Sequence, residues 1–187
     1  SGSTVTLREK APRRIVEVGS GHSTRFMARA VSDAACGTAI SAIDPAPRAD
    51  IAGLGVTCIR ETVQRAGMDP FRMLAAGDVL SIDSSHILLP GTDVDFLFHR
   101  VLPVMPGGVL VHVHDILLPD AYPPAWDWRG YNEQLGVAAL LQGGAWRPVW
   151  SSHYVATRMK EDLDRSVIAD LPLRPGARET SLWLVRS

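Results

Sequence analysis

The chain has 187 residues, of which 46% are hydrophobic and 21% charged, a balance typical of one globular domain with a substantial core. Its 19 basic and 20 acidic residues give a formal net charge of -1, and no basic block predicts a nucleic-acid surface. No apolar run approaches the ~20 residues of a membrane span, and no signal peptide opens the chain. Cys36 and Cys58 are too few and too isolated for a disulfide framework, so we expect a reducing, cytoplasmic setting. We expect neither nucleic-acid nor membrane partners.

Strand and helix patterns alternate along the chain. Short apolar runs predict strands, whereas Val94, Leu97, Phe98 and Val101 recur at the spacing of one helix face. In chain order we predict strands at 15–19, 38–44, 55–63, 78–83, 109–116, 146–156 and 181–187, with helices after residue 22, over 92–105, over 131–142 and within 158–176. Residues 117–130 are rich in proline and tryptophan and predict an irregular connection.

This alternation predicts an α/β fold. We expect a Rossmann-like, seven-stranded, mostly parallel sheet with helices on both faces and an antiparallel last strand pair. Residues 1–14 form a lead, whose first three residues look like a cloning scar, and residues 15–187 form one domain.

The segment "VEVGSGHST" places a glycine-rich turn between a strand and a helix. Gly19 and Gly21 allow the backbone to turn tightly and approach a ligand, and the helix N-terminus offers free N–H groups to a carboxylate or phosphate. A nicotinamide-cofactor fingerprint requires a third glycine where Thr24 stands. Asp44 ends the second strand, where a carboxylate can accept hydrogen bonds from ribose hydroxyls. The pattern predicts a nucleoside ligand with a small charged tail.

Together, "EVGSGHST", the acid ending the second strand and "IDSSH" ending the fourth resemble class I S-adenosylmethionine-dependent methyltransferases, in the family 24-like branch that carries an "IDGSH"-type motif. The branch is similar to metal-dependent O-methyltransferases of sugars and small molecules. The resemblance implies that S-adenosylmethionine is the cofactor, with His22 standing where the broad class has a small residue. The cofactor residues that it implies are Glu17, Gly19, Ser20, Gly21, His22, Ser23, Thr24, Asp44, Glu61, Thr62 and Asp83.

In the strand order that the resemblance implies, the fourth and fifth strands are neighbours, so their ends should meet. Asp83 ends the fourth strand and His114 and Asp115 end the fifth, and two carboxylates with an imidazole resemble a three-ligand site for a divalent metal such as Mg²⁺, Mn²⁺ or Fe²⁺. Similar enzymes have two oxygen ligands on the fifth strand, where this chain has one histidine. His86 follows Asp83 by three residues, and the resemblance implies that it is the general base, with Asp83 beside it. An imidazole that titrates near neutrality suits proton removal from an alcohol.

Several polar and aromatic residues have a structural alternative. We interpret His112 as a hydrogen-bonded core residue, His99 as a surface residue and His153 as a structural residue on a late strand. The long connection and the following helix start predict an acceptor pocket, although its aromatic side chains could instead form a homodimer contact. The acceptor-site residues predicted there are Tyr122, Trp126, Trp128, Tyr131, Asn132 and Glu133.

These features predict a methyltransferase that moves a methyl group from S-adenosylmethionine to a small-molecule acceptor, most simply a hydroxyl. A sugar, a polyketide, a phenol or an amine fits an aromatic pocket. Two other functions are open: a non-catalytic S-adenosylmethionine-binding module of a larger assembly, and a nicotinamide-dependent oxidoreductase on the same kind of sheet. The missing third glycine argues against the oxidoreductase.

Overall fold

A seven-stranded sheet organises the computed structural model, which describes residues 11–167 and 177–187. The strand order is β3-β2-β1-β4-β5-β7-β6; β1 to β5 are parallel, and β7 runs antiparallel to both β5 and β6. The strands are β1 (Arg14–Val18), β2 (Ala39–Ile43), β3 (Val56–Ile59), β4 (Val79–Ile82), β5 (Leu110–Val113), β6 (Trp146–Ser151) and β7 (Leu182–Arg186). The predicted Rossmann-like fold is confirmed.

Helical segments connect these strands. The α-helices are α1 (His22–Ala34), α2 (Val63–Ala66), α3 (Asp69–Arg72), α4 (Asp93–Phe96), α5 (Glu133–Gln142), α6 (Ser152–Arg158) and α7 (Lys160–Asp164). A π-helical turn, Leu97–Val101, and a 3-10 turn, Leu102–Val104, extend α4, which confirms the helix predicted over 92–105. No helix in the described ranges has the length and apolar character needed to cross a membrane.

Three sequence predictions about local structure need correction. The strand predicted over 146–156 ends at Ser151, and His153 lies on α6, whose first turn is capped when the Ser151 hydroxyl accepts from the Tyr154 amide. The irregular connection contains a 3-10 segment, Pro124–Arg129. β1 begins at Arg14, inside the predicted lead. The predicted helical connection extends to residue 176, and its part over 168–176 lies outside the described residues.

Two apolar clusters hold helices against opposite faces of the sheet. Met27 and Ala30 of α1 pack with Ile15 and Trp183 on one face, and the extended α4 buries Leu97 on the other. Full burial of one such side chain stabilises the fold by about 1.5–3 kcal/mol relative to exposure. Since each helix has one apolar face, the sheet is covered on both sides and its strand ends are left to form sites.

Strand order reverses between β1 and β4. From β1 the chain continues to β2 and β3 on one side, and from β4 it continues to β5 on the other side. Open parallel sheets bind ligands at such a point, outside the carboxyl ends of the strands. Gly19 directly follows β1 with a positive φ of 80°, and a Cβ there would lie 1.9 Å from the carbonyl oxygen of Asp83. Only glycine permits this approach of the first turn to the end of β4.

Candidate active site

A cavity of about 480 Å³ opens at the ends of β1, β2 and β4. Of the predicted cofactor residues, Gly19, Ser20, Asp44, Thr62 and Asp83 line it. Val63, at the end of the predicted adenine turn, lines it too, and the wall residues that sequence reasoning missed are Arg48, Gln64, Ser84, Ser85 and Asp93. Ser84 and Ser85 directly follow Asp83 in the "IDSSH" motif, which was the available signal for them.

Asp44 is held in a fixed orientation at this cavity. Its Oδ2 accepts hydrogen bonds from the Ser20 amide at 2.6 Å and the Ser20 hydroxyl at 2.9 Å, and its Oδ1 accepts from the Ala46 amide at 2.8 Å. A carboxylate oriented by backbone donors has little freedom left to lose on binding a ligand. The end of β2 therefore presents a preorganised acceptor of hydrogen bonds.

Glu17 and Thr24 lie behind the glycine-rich turn. Both are fully buried, and the Glu17 carboxylate accepts from the Ser23 hydroxyl at 2.6 Å and the Thr24 hydroxyl at 2.5 Å. Burial raises the pKa of Glu17 from 4.5 to about 7, although the two hydroxyl donors oppose that shift. These residues hold the turn from behind. Gly21, His22 and Ser23 line a neighbouring cavity of about 330 Å³.

The predicted adenine region divides into two parts. Thr62 lines the main cavity and caps α2, since its hydroxyl accepts from the Arg65 amide. Glu61 is exposed, and its carboxylate pairs with Arg65 at 2.8 Å, outside the cavity wall. A role for Glu61 at the adenine stays a prediction, since its side chain is paired with Arg65 one turn further along the chain.

A cleft of about 400 Å³ adjoins the main cavity and shares Arg48 and Asp83 with it. This cleft gathers residues that are distant in sequence, because β4 and β5 are adjacent and the segments after them meet. Its lining is His86, His114, Asp115, Trp126, Arg129, Tyr131, Ala177, Arg178 and Thr180, in addition to the two shared residues.

His86 stands between three carboxylates at the base of the cleft. Its Nδ1 lies 2.9 Å from Oε2 of Glu133, and its Nε2 lies 3.4 Å from Oδ1 of Asp83 and 3.8 Å from Oδ2 of Asp115. The backbone amides of Asn132 and Glu133 donate to the His86 carbonyl, which fixes the start of α5 against this loop. Sequence reasoning placed His86 beside Asp83 and missed its contact with Glu133.

The backbone at His86 and Asp115 has left-handed φ angles, 60° and 54°. A non-glycine residue adopts this conformation at a cost, and the surrounding contacts must hold it there. Both residues are also buried at 2% and 8% exposure. Such strained, buried polar residues cluster at functional sites, and here they aim both side chains into one cleft.

The carboxylates around His86 stabilise its protonated form. Burial lowers the pKa of His86, but the hydrogen bonds to Asp83 and Glu133 and the charges of Glu133 and Asp115 outweigh it and raise the pKa from 6.5 to about 9. Burial acts to raise the pKa of Asp83, yet His86 and His114 bring it below its usual value. Burial raises the pKa of Glu133. The resting site therefore holds a proton on His86 at neutral pH.

The predicted metal ligands come together without forming a metal cluster. Asp115 lies 3.5 Å from Nε2 of His114 and 3.6 Å from Nη1 of Arg129, besides its contact with His86. Within 11–167 and 177–187, no group of three or more His, Cys, Asp or Glu side chains could hold a metal ion. Since His86 and Arg129 already bring donor groups to these carboxylates, the residues do not fit a divalent cation in this arrangement.

The other histidines occupy structural positions. His112 is buried, with Nδ1 3.1 Å from the Ser81 hydroxyl and Nε2 3.2 Å from the Ser181 hydroxyl, which confirms it as a core residue. Burial lowers the pKa of His112 to about 3, so the ring is neutral. The His99 side chain is 69% exposed, as predicted for a surface residue. His153 is buried and contacts Asp120 at 2.7 Å.

The predicted acceptor-pocket residues divide by exposure. Trp126 and Tyr131 line the cleft, and the Tyr122 ring stacks on Trp126 with centroids 6.0 Å apart. Trp128 is 81% exposed and is not part of the cleft lining.

The two polar residues predicted there have other partners. The Asn132 amide oxygen accepts from the Leu88 amide, and Glu133 is fully buried against His86. The start of α5 directs the Glu133 side chain inward to His86, and a role for Glu133 in acceptor binding stays a prediction.

A family model described as a methyltransferase domain, of family 24, matches residues 16–116, more than half of the chain. The chain belongs to this methyltransferase domain family. The match confirms the resemblance to class I S-adenosylmethionine-dependent methyltransferases that the sequence motifs indicated. A search of curated protein sequences gave no significant match.

Solved structures share the methyltransferase fold over 98% of this chain. The SAH-bound methyltransferase PaMTH1 of Podospora anserina is 16% identical, with a TM-score of 0.59 and 76% of its own chain covered. The O-methyltransferase from Bacillus cereus in complex with SAH is 12% identical, with a TM-score of 0.56 and 78% covered. The O-methyltransferase TomG of Streptomyces achromogenes, in complex with SAM and involved in tomaymycin synthesis, is 15% identical, with a TM-score of 0.55 and 77% covered.

Proposed function

We propose that this methyltransferase transfers a methyl group from S-adenosylmethionine to a hydroxyl of a small molecule, with His86 as the general base. The observation that carries the proposal is the His86–Glu133 pair at the base of a cleft that directly adjoins the main cavity. Methyl transfer is an in-line displacement, so the nucleophile and the methyl donor must occupy adjacent sites. The two cavities share Arg48 and Asp83 in their walls, which supports adjacent sites for donor and acceptor.

The main cavity fits a nucleoside cofactor by the chemistry of its donor and acceptor groups. Asp44 would accept hydrogen bonds from the ribose, Gly19 and Ser20 would approach the amino-acid portion, and Thr62 would line the adenine. When bound, S-adenosylmethionine supplies an electrophilic methyl group on a sulfonium centre. Neighbouring solved structures named as SAH- or SAM-bound support this cofactor.

Asp44 gives a direct test of the cofactor assignment. We expect Asp44→Ala to weaken SAH binding by roughly 10- to 100-fold, since hydrogen bonds to a charged group contribute about 1.5–3 kcal/mol. Isothermal titration calorimetry measures this change. Asp50→Ala, which alters an exposed carboxylate of the same segment, is the matched control. An unchanged dissociation constant for Asp44→Ala would contradict the ribose assignment.

In the proposed reaction His86 removes the acceptor proton. Neutral His86 accepts the hydroxyl proton at Nε2 as the oxygen attacks, while Nδ1 keeps its hydrogen bond to Glu133 at 2.9 Å. The resulting imidazolium is stabilised by Asp83, Asp115 and Glu133 around it. The same carboxylates hold a proton on His86 before the reaction, so the site must first release that proton and is expected to work best at alkaline pH.

The metal part of the prediction receives no support from the arrangement of Asp83, His114 and Asp115, so no step depends on a metal. We expect exhaustive chelation to leave kcat within about twofold of the untreated enzyme, since a metal that acted as Lewis acid would contribute several kcal/mol. Activity before and after EDTA treatment, with metal content measured alongside, tests this. If chelation abolishes activity and Mg²⁺, Mn²⁺ or Fe²⁺ restores it, the three-ligand metal site would be supported after all.

A screen with radiolabelled S-adenosylmethionine tests the reaction itself. The acceptors are sugars, polyketides, phenols and amines, and the expected product is an O-methyl derivative of one class. SAH binding without transfer to any acceptor would favour a non-catalytic S-adenosylmethionine-binding module.

Two further predictions have their own tests. A change in fluorescence on adding NADH would support the oxidoreductase alternative. The homodimer prediction, to which exposed Trp128 could contribute, is tested by sedimentation velocity.

A further inference from the structure

The cleft beside His86 is lined by more guanidinium groups than carboxylates. Arg48, Arg129 and Arg178 line it, together with the carboxylates of Asp83 and Asp115. Methyl transfer to a hydroxyl needs no cation on the acceptor side, because the proton leaves to a base. The chemical step therefore does not explain why three arginines line the cleft, and binding of the acceptor is the function left for them.

The cleft carboxylates already have partners. Asp83 lies 3.4 Å from Nε2 of His86, and Asp115 contacts His86, His114 and Arg129. Within the described part of the chain, no carboxylate lies within 4.0 Å of the guanidinium of Arg48 or Arg178. Two cationic side chains at the cleft are left without an ion-pair partner among those residues.

Arg129 lines the same cleft, and its guanidinium is held by aromatic rings and a carboxylate. Its guanidinium carbon lies 4.3 Å from the ring centroid of Trp126 and 5.3 Å from that of Tyr131, and Nη1 lies 3.6 Å from Asp115. Stacking on aromatic faces orients a guanidinium and reduces the entropy lost when it binds a ligand. The aromatic rings also offer an apolar surface to the body of an acceptor.

We infer that the acceptor carries an oxyanion, a carboxylate or a phosphate, which Arg48 and Arg178 bind while its hydroxyl reaches His86. Guanidinium groups bind both oxyanions through paired, charge-assisted hydrogen bonds. The inference rests on the proposed methyl transfer and narrows its acceptor to one charge class. Arg178 lines only this cleft among the three cavities described, whereas Arg48 lines all of them. Arg178 is thus the decisive position.

The test uses matched pairs of hydroxy compounds with SAH-bound enzyme. One arm compares hydroxybenzoates with their methyl esters, and the other compares sugar phosphates with the unphosphorylated sugars. Binding to the SAH-bound enzyme is followed through tryptophan fluorescence, to which Trp126 and Trp128 beside Arg129 contribute, and turnover is measured separately with radiolabelled S-adenosylmethionine and no added SAH. We expect the anionic member of one arm to bind at least about tenfold more tightly, and the responding arm distinguishes carboxylate from phosphate.

Substitutions of the cleft arginines test whether the anion preference arises in this cleft. Arg178→Gln should remove most of the anion preference and leave SAH affinity unchanged, whereas Arg147→Gln, at an exposed arginine of β6, should retain it. Equal binding of both members of every pair, or a preference that survives in the Arg48→Gln/Arg178→Gln double variant, overturns the inference while methyl transfer stands. Retained anion binding with no methyl transfer to any compound overturns the proposed function instead.

Discussion

His86→Gln is expected to lower kcat by about 10²- to 10⁴-fold, the usual contribution of a positioned general base. Glutamine is close to histidine in size and polar, so it limits the disturbance of a site where His86 is only 2% exposed. Because His86 is placed at the reacting hydroxyl and not in the main cavity wall, SAH affinity should stay within about twofold. Single-turnover methyl transfer, SAH titration and thermal unfolding measure the three quantities.

His99→Gln is the matched control, since it replaces an exposed histidine on the extended α4 and should leave all three quantities unchanged. Activity close to wild type in a folded His86→Gln enzyme would remove His86 from the mechanism. A parallel loss of SAH affinity would place His86 in cofactor binding instead.

Glu133→Gln is expected to lower kcat by about 10²- to 10⁴-fold as well, through its contact with His86. The carboxylate can only accept from Nδ1–H of His86, which leaves Nε2 free to take a proton. An amide can donate to Nδ1 and stabilise the tautomer with hydrogen on Nε2. In serine proteases the equivalent change from carboxylate to amide costs about 10⁴ in kcat.

Recovery of kcat by a second carboxylate distinguishes a role of Glu133 in orienting His86 from a role in stabilising the fold. Glu133→Asp should recover part of the rate that Glu133→Gln loses, whereas a purely structural role would make the shorter carboxylate the worse substitute at a fully buried position. Glu161→Gln, on exposed α7, is the control for general loss of a carboxylate. Wild-type kcat in Glu133→Gln would show that this carboxylate does not position the base.

Much of the fold was predictable because periodicity alone separates its strands from its helices. The parallel strands are short and mostly apolar, and the helix over 92–105 repeats its buried residues at helical spacing. The neighbouring ends of β4 and β5 followed from strand order, which brings Asp83 beside His114 and Asp115. The predictions failed where a local contact decided the outcome, as at β6, which ends when Ser151 caps a helix.

The site residues that belong to sequence motifs were predictable, whereas contacts between distant segments were not. Glu133 lies 47 positions from His86, and a glutamate at a helix start gives no sign in sequence that it will be buried. The left-handed backbone of His86 and Asp115 also has no local signal, since neither residue is glycine. Arg48 and Arg178 lie in segments without periodicity, and only the folded sheet brings them to one cleft.

The pH dependence of kcat/KM tests the role of His86 most directly. Because the surrounding carboxylates raise the pKa of His86 to about 9, the imidazole is protonated and unable to act as a base below that pH. We expect log kcat/KM to rise with a slope of about one through neutral pH and to level off near pH 9, with no such rise in His86→Gln. A flat profile from neutral to alkaline pH, or the same rising limb in His86→Gln, would contradict it.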